Sequence, residues 1–156
     1  MRLYLVQHGE ALNAADDSGK TLSPKGRRDV KALAEACAKR HIEAVEVIHS
    51  GKVRARQTAE MLAAALNLPV RAETGLDPMD PVRPFAGECA TMHSTVVVGH
   101  QPFLERLAAL LLAGREDPPV LAFQRGGMAC LERRGAPHEG WCILWTAFPD
   151  QVHPGG

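Results

Sequence analysis

The sequence predicts an α/β protein with an open, mostly parallel sheet and helices on both of its faces. Three observations lead there. Short apolar runs alternate along the chain with longer segments whose apolar residues recur at helical spacing. One run, Thr95–Val98, shows no polar alternation, as in a central strand covered on both sides. Helix-start chemistry, Ser23-Pro24 and later Pro102, stands between the runs.

The elements follow in order. Leu3–Val6 is a buried strand that stops at a polar pair and a glycine. Ser23 caps a helix with Pro24 at its first position, and Val30, Leu33, Ala34 and Cys37 form its inner face. Val45–Ile48 is the next strand. Val53–Leu66 is a second helix with Ala55, Ala59, Leu62, Ala63 and Leu66 inward, stopping at Asn67 before Pro69. An extended piece is expected at Val70–Ala72, the central strand at Thr95–Val98, and a third helix from Pro102 through Leu112, closed by Gly114. Two more strands are expected near Met128–Leu131 and Cys142–Thr146, separated by the turn-rich stretch 135–140. At 156 residues the chain is read as one domain with a short flexible tail near 151–156.

Composition narrows the function classes. Eighteen Lys and Arg balance eighteen Asp and Glu, so no overall basic field attracts nucleic acid or anionic membrane, and an anion site must be built locally. No apolar stretch approaches a membrane span. The opening Met1–Val6 is cut short by Gln7-His8-Gly9-Glu10, unlike a secretory leader, and Cys37, Cys89, Cys130 and Cys142 lack CxxC or scaffold spacing. A cytoplasmic chain with free thiols is the expectation.

In open parallel sheets, ligands bind at the carboxyl ends of the strands. Three such ends carry Gln7-His8-Gly9, His49-Ser50 and Gly99-His100-Gln101-Pro102. Phosphoryl transfer asks for an in-line nucleophile and positive charge around three oxygens. A neutral imidazole at His8 can be nucleophile or acid, and Gly9 would let backbone approach an oxyanion. Arg54, in the first turn of its helix, can bond phosphate bidentately, and His100 lies just before another helix start. Each residue also has an ordinary reading: a hydrogen-bonded strand-end histidine, a solvated helix cation, a helix-start Gln-Pro pair. His41, His49, His93, His138 and His153 have no partner spacing and are assigned to surface or loop roles. Neither HxH nor HxxxH occurs, so no metal is expected, and no cofactor is called for.

Together these stretches resemble a known family. Leu5-Val6-Gln7-His8-Gly9-Glu10-Ala11 is similar to the Arg-His-Gly signature of the histidine phosphatase superfamily. The stretch from Ser50 to Ala59 resembles its Ser-x-x-x-Arg-Ala-x-Gln-Thr-Ala motif, and Val96–Pro102 its third. The likeness runs from residue 1 to about 113, and Thr21–Gly26 with the compact length resembles the SixA-type phosphohistidine phosphatases. The resemblance implies a three-layer α/β/α sandwich of the phosphoglycerate mutase-like kind. It implies that His8 is the phosphorylated nucleophile, Arg54 a phosphate ligand and His100 the second pocket histidine, with Gln7, Gly9 and Gln101 also about the phosphate. One departure stands out: Gln7 replaces the usual arginine and brings no charge. Asn13 falls one residue closer to the histidine than the phosphate-contacting Asn of mutase relatives.

Relatives that act on alkyl phosphates supply a carboxylic acid to the leaving oxygen. Here the interval Thr74–Ser94 holds Asp77, Asp80 and Glu88 without a recognisable donor motif, and Asp80 is the candidate acid. The lack of an evident donor favours phosphohistidine on a signalling or phosphotransfer protein as substrate. A small-molecule phosphomonoesterase is the alternative. So is a phosphate- or phosphoprotein-binding module blunted by Gln7.

Overall fold

The structure, a computed structural model, describes residues 1–135 and 140–152. One six-stranded sheet runs through the molecule in the order β3-β2-β4-β1-β5-β6. Its strands are β1 (Arg2–Gln7), β2 (Glu46–His49), β3 (Val70–Ala72), β4 (Thr95–Gly99), β5 (Met128–Arg134) and β6 (Gly140–Ala147). The first four pair in parallel, whereas β5 lies antiparallel to β1, and β6 to β5.

Alternating side chains divide the core. Tyr4, Val6, Val47, Val96 and Val98 face α1 (Pro24–Lys39) and α2 (Val53–Leu66), whose Leu33, Cys37, Ala55, Ala59 and Leu62 pack on them. Leu3, Leu5, Ile48 and Val97 face the other way, onto α3 (Arg83–Cys89) and α4 (Phe103–Ala113) through Phe85, Cys89, Leu104 and Leu107. This is the three-layer α/β/α sandwich, mostly parallel, that the alternation predicts. Val96, Val97 and Val98 are fully buried, as a central strand with no polar alternation must be.

Helix starts and stops obey local chemistry. Ser23 Oγ accepts the Gly26 N–H at 3.0 Å, and Pro24 needs no partner at the first position. Asn67 ends α2 in the left-handed conformation at φ 53. The sequence reading missed α3, a 3-10 turn at Asp17–Gly19 and a terminal turn, α5 (Pro149–Val152). All three are too short to display a periodic stripe. Gln151 and Val152, placed at the start of the expected tail, belong to α5; residues 136–139, within the expected turn, and 153–156 lie outside the described residues, and His138 and His153 with them.

The topology places the site. The helices after β1 and β2 cover one face, while the helix after β4 covers the other. Since β4 lies between β2 and β1, a crevice opens where the helices leave in opposite directions. The strand ends carrying Gln7-His8, Gly99-His100 and His49-Ser50 therefore come to lie side by side. His8 N–H donates to the Gly99 carbonyl at 3.1 Å and continues the β1–β4 ladder into the crevice.

Candidate active site

A pocket of about 480 Å³ opens at this edge, and Gln7, His8, Arg54, His100 and Gln101 line it. Lys20, Asn13 and Arg125 are there as well. Among the described residues that line it, none is an Asp or Glu. Two imidazoles and three cations converge on a space with no anion of its own.

The His8 ring is fixed by its own backbone: Nδ1 lies 2.7 Å from the Gly9 carbonyl oxygen. A carbonyl only accepts, so Nδ1 carries the proton and Nε2 keeps its lone pair. Burial pushes the His8 pKa down to about 4, opposed by the Gly9 carbonyl and aided by the nearby Arg54 and Arg125 charges. His8 is thus a neutral imidazole at neutral pH. The His100 ring stands 5.1 Å from it, centroid to centroid. His100 Nε2 is 2.6 Å from Ser50 Oγ, and burial, followed by the His8, Arg54 and Lys52 charges, holds its pKa near 3. His100 Nδ1 and Gln101 Nε2 are buried without a protein partner. Gln101 Oε1 accepts the Glu105 N–H at 2.9 Å, so this side chain also caps α4.

Arg54 reaches the pocket because Gly51, at φ +94, turns the chain sharply from β2 into α2. Its Nη1 lies 3.3 Å from Asp17 Oδ1, and the same carboxylate meets Lys52 Nζ at 3.0 Å. Lys52 chiefly, then Arg54, holds the Asp17 carboxyl below its ordinary range, so Asp17 stays charged and is a poor proton donor.

Three expectations need correction. Gly9 does not line the pocket; its N–H donates to Thr58 Oγ1 at 3.0 Å, and Thr58 donates in turn to the Arg54 carbonyl at 2.9 Å. Glycine is demanded there by packing, since a Cβ would sit 2.8 Å from Val30 Cγ2. Asp80 does not line the pocket either. Its carboxylate accepts the Asp77 N–H at 2.8 Å and closes its own loop, although the neighbouring Pro78 does border the site. His49, assigned above to the surface or a loop, is 5% exposed, and its Nδ1 accepts the Gly51 N–H at 3.0 Å.

Lys20, Asp17 and Arg125 escaped the sequence reading. Asp17 and Lys20 sit in a polar loop that resembles any solvated stretch. Arg125 precedes Gly126-Gly127, an ordinary turn signal, and only the antiparallel pairing of β5 with β1 carries it to His8.

Comparison with known proteins identifies the family. The profile of the histidine phosphatase superfamily (branch 1) matches residues 3–81 of the 156. The chain belongs to this superfamily. The phosphohistidine phosphatase SixA of Escherichia coli (strain K12) is 29% identical over 149 residues, covering 90% of this chain and 92% of that one. A structure of the protein histidine phosphatase SixA complexed with tungstate superposes with a TM-score of 0.82 at 26% identity, covering 97% and 99% of the two chains. A mycobacterial glucosyl-3-phosphoglycerate phosphatase with inorganic phosphate superposes at 0.72 and 20% identity over 95% and 98%, a likeness of fold alone. The chain is thus a phosphatase of this superfamily, similar to SixA. No helix among its described residues is long and apolar enough to cross a membrane.

Proposed function

We propose that this histidine phosphatase removes the phosphoryl group from phosphohistidine on a protein, through a phosphorylated His8. The carrying observation is the pocket lining: histidines, amides and cations, with no carboxylate among the described residues. Such a site stabilises a phosphoryl group but offers no acid to an alkoxide.

The steps follow from the geometry. Substrate phosphate oxygens sit against Arg54, with His100 and the Gln7 and Gln101 amides as further donors; the unpartnered Gln101 Nε2 supports this. The His8 Nε2 lone pair forms a bond to phosphorus as the substrate's N–P bond breaks. The departing ring takes the bonding pair and leaves as neutral imidazole, protonated on its other nitrogen, so no protein acid is needed. The Nδ1 proton of His8 stays on the Gly9 hydrogen bond throughout and makes phospho-His8 a cationic imidazolium. Water then attacks phosphorus, the new N–P bond breaks toward His8 Nε2, and both protons of the water stay with inorganic phosphate. A site open at its mouth suits a histidine standing out from a protein surface. The four cysteines are free thiols, which supports a reducing, cytoplasmic setting.

The test is kcat/KM across leaving groups, in wild type and in Asp80→Asn. Phosphohistidine and p-nitrophenyl phosphate should exceed a sugar phosphate by at least the roughly 10²- to 10⁴-fold that positioned acid catalysis recovers. Asp80→Asn should change neither. Comparable rates on all three, with a large loss in Asp80→Asn, would replace this reading with a small-molecule phosphomonoesterase. Binding of phosphohistidine without turnover would leave a binding module.

A further inference from the structure

Three cations line the pocket, and they are not equivalent. Arg54 Nη1 lies 3.3 Å, and Lys20 Nζ 3.7 Å, from Asp17 Oδ1, so both share one carboxylate. Arg125 has no carboxylate partner among the described residues. It is nevertheless held in place. The Gly126 N–H donates to both the Gln7 and His8 carbonyls, at 2.9 and 3.2 Å, and Gln7 N–H donates to the Gly127 carbonyl at 3.2 Å. Gly126 has φ +75, and a Cβ there would sit 3.1 Å from Asp29 Cβ, so this turn packs tightly against α1. Three backbone bonds thus fasten the turn after Arg125 to Gln7, the last residue of β1, and to His8 just beyond it.

The residue at that strand end, Gln7, lines the site as a neutral amide. A transferring phosphoryl group needs charge on more than one side. We infer that Arg125, from the turn before β5, is a substrate-phosphate ligand that supplies the charge Gln7 does not bring to the β1 side of the site. Arg54 holds the phosphate from α2, and Arg125 holds it from across β1. The proximity of the Arg125 charge to His8 also helps to keep that imidazole neutral. This assignment rests on the phosphatase reading above.

The experiment is calorimetric binding of inorganic phosphate to the full chain, with kcat and KM for p-nitrophenyl phosphate, in wild type, Arg125→Gln, Arg125→Lys, Gln7→Arg/Arg125→Gln and Arg54→Gln. Arg125→Gln should weaken phosphate binding roughly 10- to 100-fold, the worth of a charge-assisted hydrogen bond. Arg125→Lys should fall between, and Gln7→Arg should restore most of the loss. The His8 ring should also titrate at higher pH in Arg125→Gln, as the loss of a nearby cation requires. Should Arg125→Gln fold poorly, the phosphate affinity of Arg125→Lys decides the matter: a clear loss supports the assignment, and binding within twofold of wild type overturns it. Phosphate binding within twofold of wild type in Arg125→Gln, with a large loss in Arg54→Gln, would make Arg125 a solvated surface cation and overturn the assignment, leaving the phosphatase reading intact. A wild type that neither binds phosphate nor turns over substrate would overturn both.

Discussion

At the carboxyl end of β2, His49 is buried and its Nδ1 accepts the Gly51 N–H, closing the turn into α2. At the ends of β4 and β1, His100 is buried and His8 partly buried, but both line an open pocket beside Arg54 and Arg125. Burial lowers the pKa of all three rings, so the shift alone does not distinguish them. Their hydrogen-bond partners do. His49 uses its Nδ1 lone pair to accept the turn's N–H, so its neutral ring carries the proton on Nε2 and has no second lone pair. His8 spends only Nδ1, on its own backbone, and keeps the Nε2 lone pair. A strand-end histidine becomes a candidate nucleophile when its second nitrogen remains available and its surroundings can hold the incoming group.

The sharpest way to break this contrast is to exchange the two fates. His8→Asn should lower phosphatase turnover by at least about 10³-fold, as loss of a covalent nucleophile does, with thermal stability retained. His49→Phe should leave kcat within a few-fold while losing about 1 kcal/mol of stability through the stranded Gly51 amide. Equal losses of turnover in the two variants would erase the distinction.

The same contrast holds for arginines. Arg71 is bonded to Glu46 at 2.9 Å and Glu73 at 2.6 Å on the exposed edge strand, whereas Arg54 faces the pocket with its side chain 13% exposed. Arg54→Gln should cost about 10²-fold in kcat/KM. Arg71→Gln should leave the rate unchanged and lose no more than about 1 kcal/mol, as exposed ion pairs do.

Protonation supplies a third test. The folded-state pKa values of His8 and His100, about 4 and 3, lie below the ordinary 6.5, so the unfolded chain binds more protons as pH falls. Their contribution to stability is complete above about pH 7 and is lost as pH drops through 6.5 toward 4, on the order of 1 to 3 kcal/mol. Chemical denaturation across pH 4 to 7 measures it, and His8→Asn should flatten the acid limb. The smallest effect concerns Asp17, whose carboxylate competes for Arg54. Asp17→Asn should tighten inorganic phosphate binding a few-fold at low salt, and less at high salt. Weaker binding instead would mean that Asp17 chiefly orients Arg54.

Much of this was legible in the sequence because the signals are local. The bounds of α2 follow from its alanine stripe and Asn67, and Thr95–Val98 declares a central strand by having no polar face. His8, Arg54 and His100 were legible as a set because all three follow parallel strands, whose ends a doubly covered sheet gathers on one edge. What escaped depends on tertiary pairing. Arg125 is delivered by an antiparallel strand more than a hundred residues from His8. Gly9 is expected beside an oxyanion, whereas the structure shows it packed so that a Cβ would meet Val30 of α1. Asp80 was singled out by its place beside a proline, and its carboxylate closes a loop.

The central claim, that His8 carries the phosphoryl group, is most directly tested by trapping it. Wild type and His8→Asn are exposed briefly to phosphohistidine or acetyl phosphate, quenched under alkaline denaturing conditions that spare phosphoramidates, and weighed intact. The account predicts one added phosphoryl group on wild type, mapped to His8, and none on His8→Asn. Turnover by wild type with no phosphorylated species at any quench time, or a phosphoryl group that persists in His8→Asn, would contradict it.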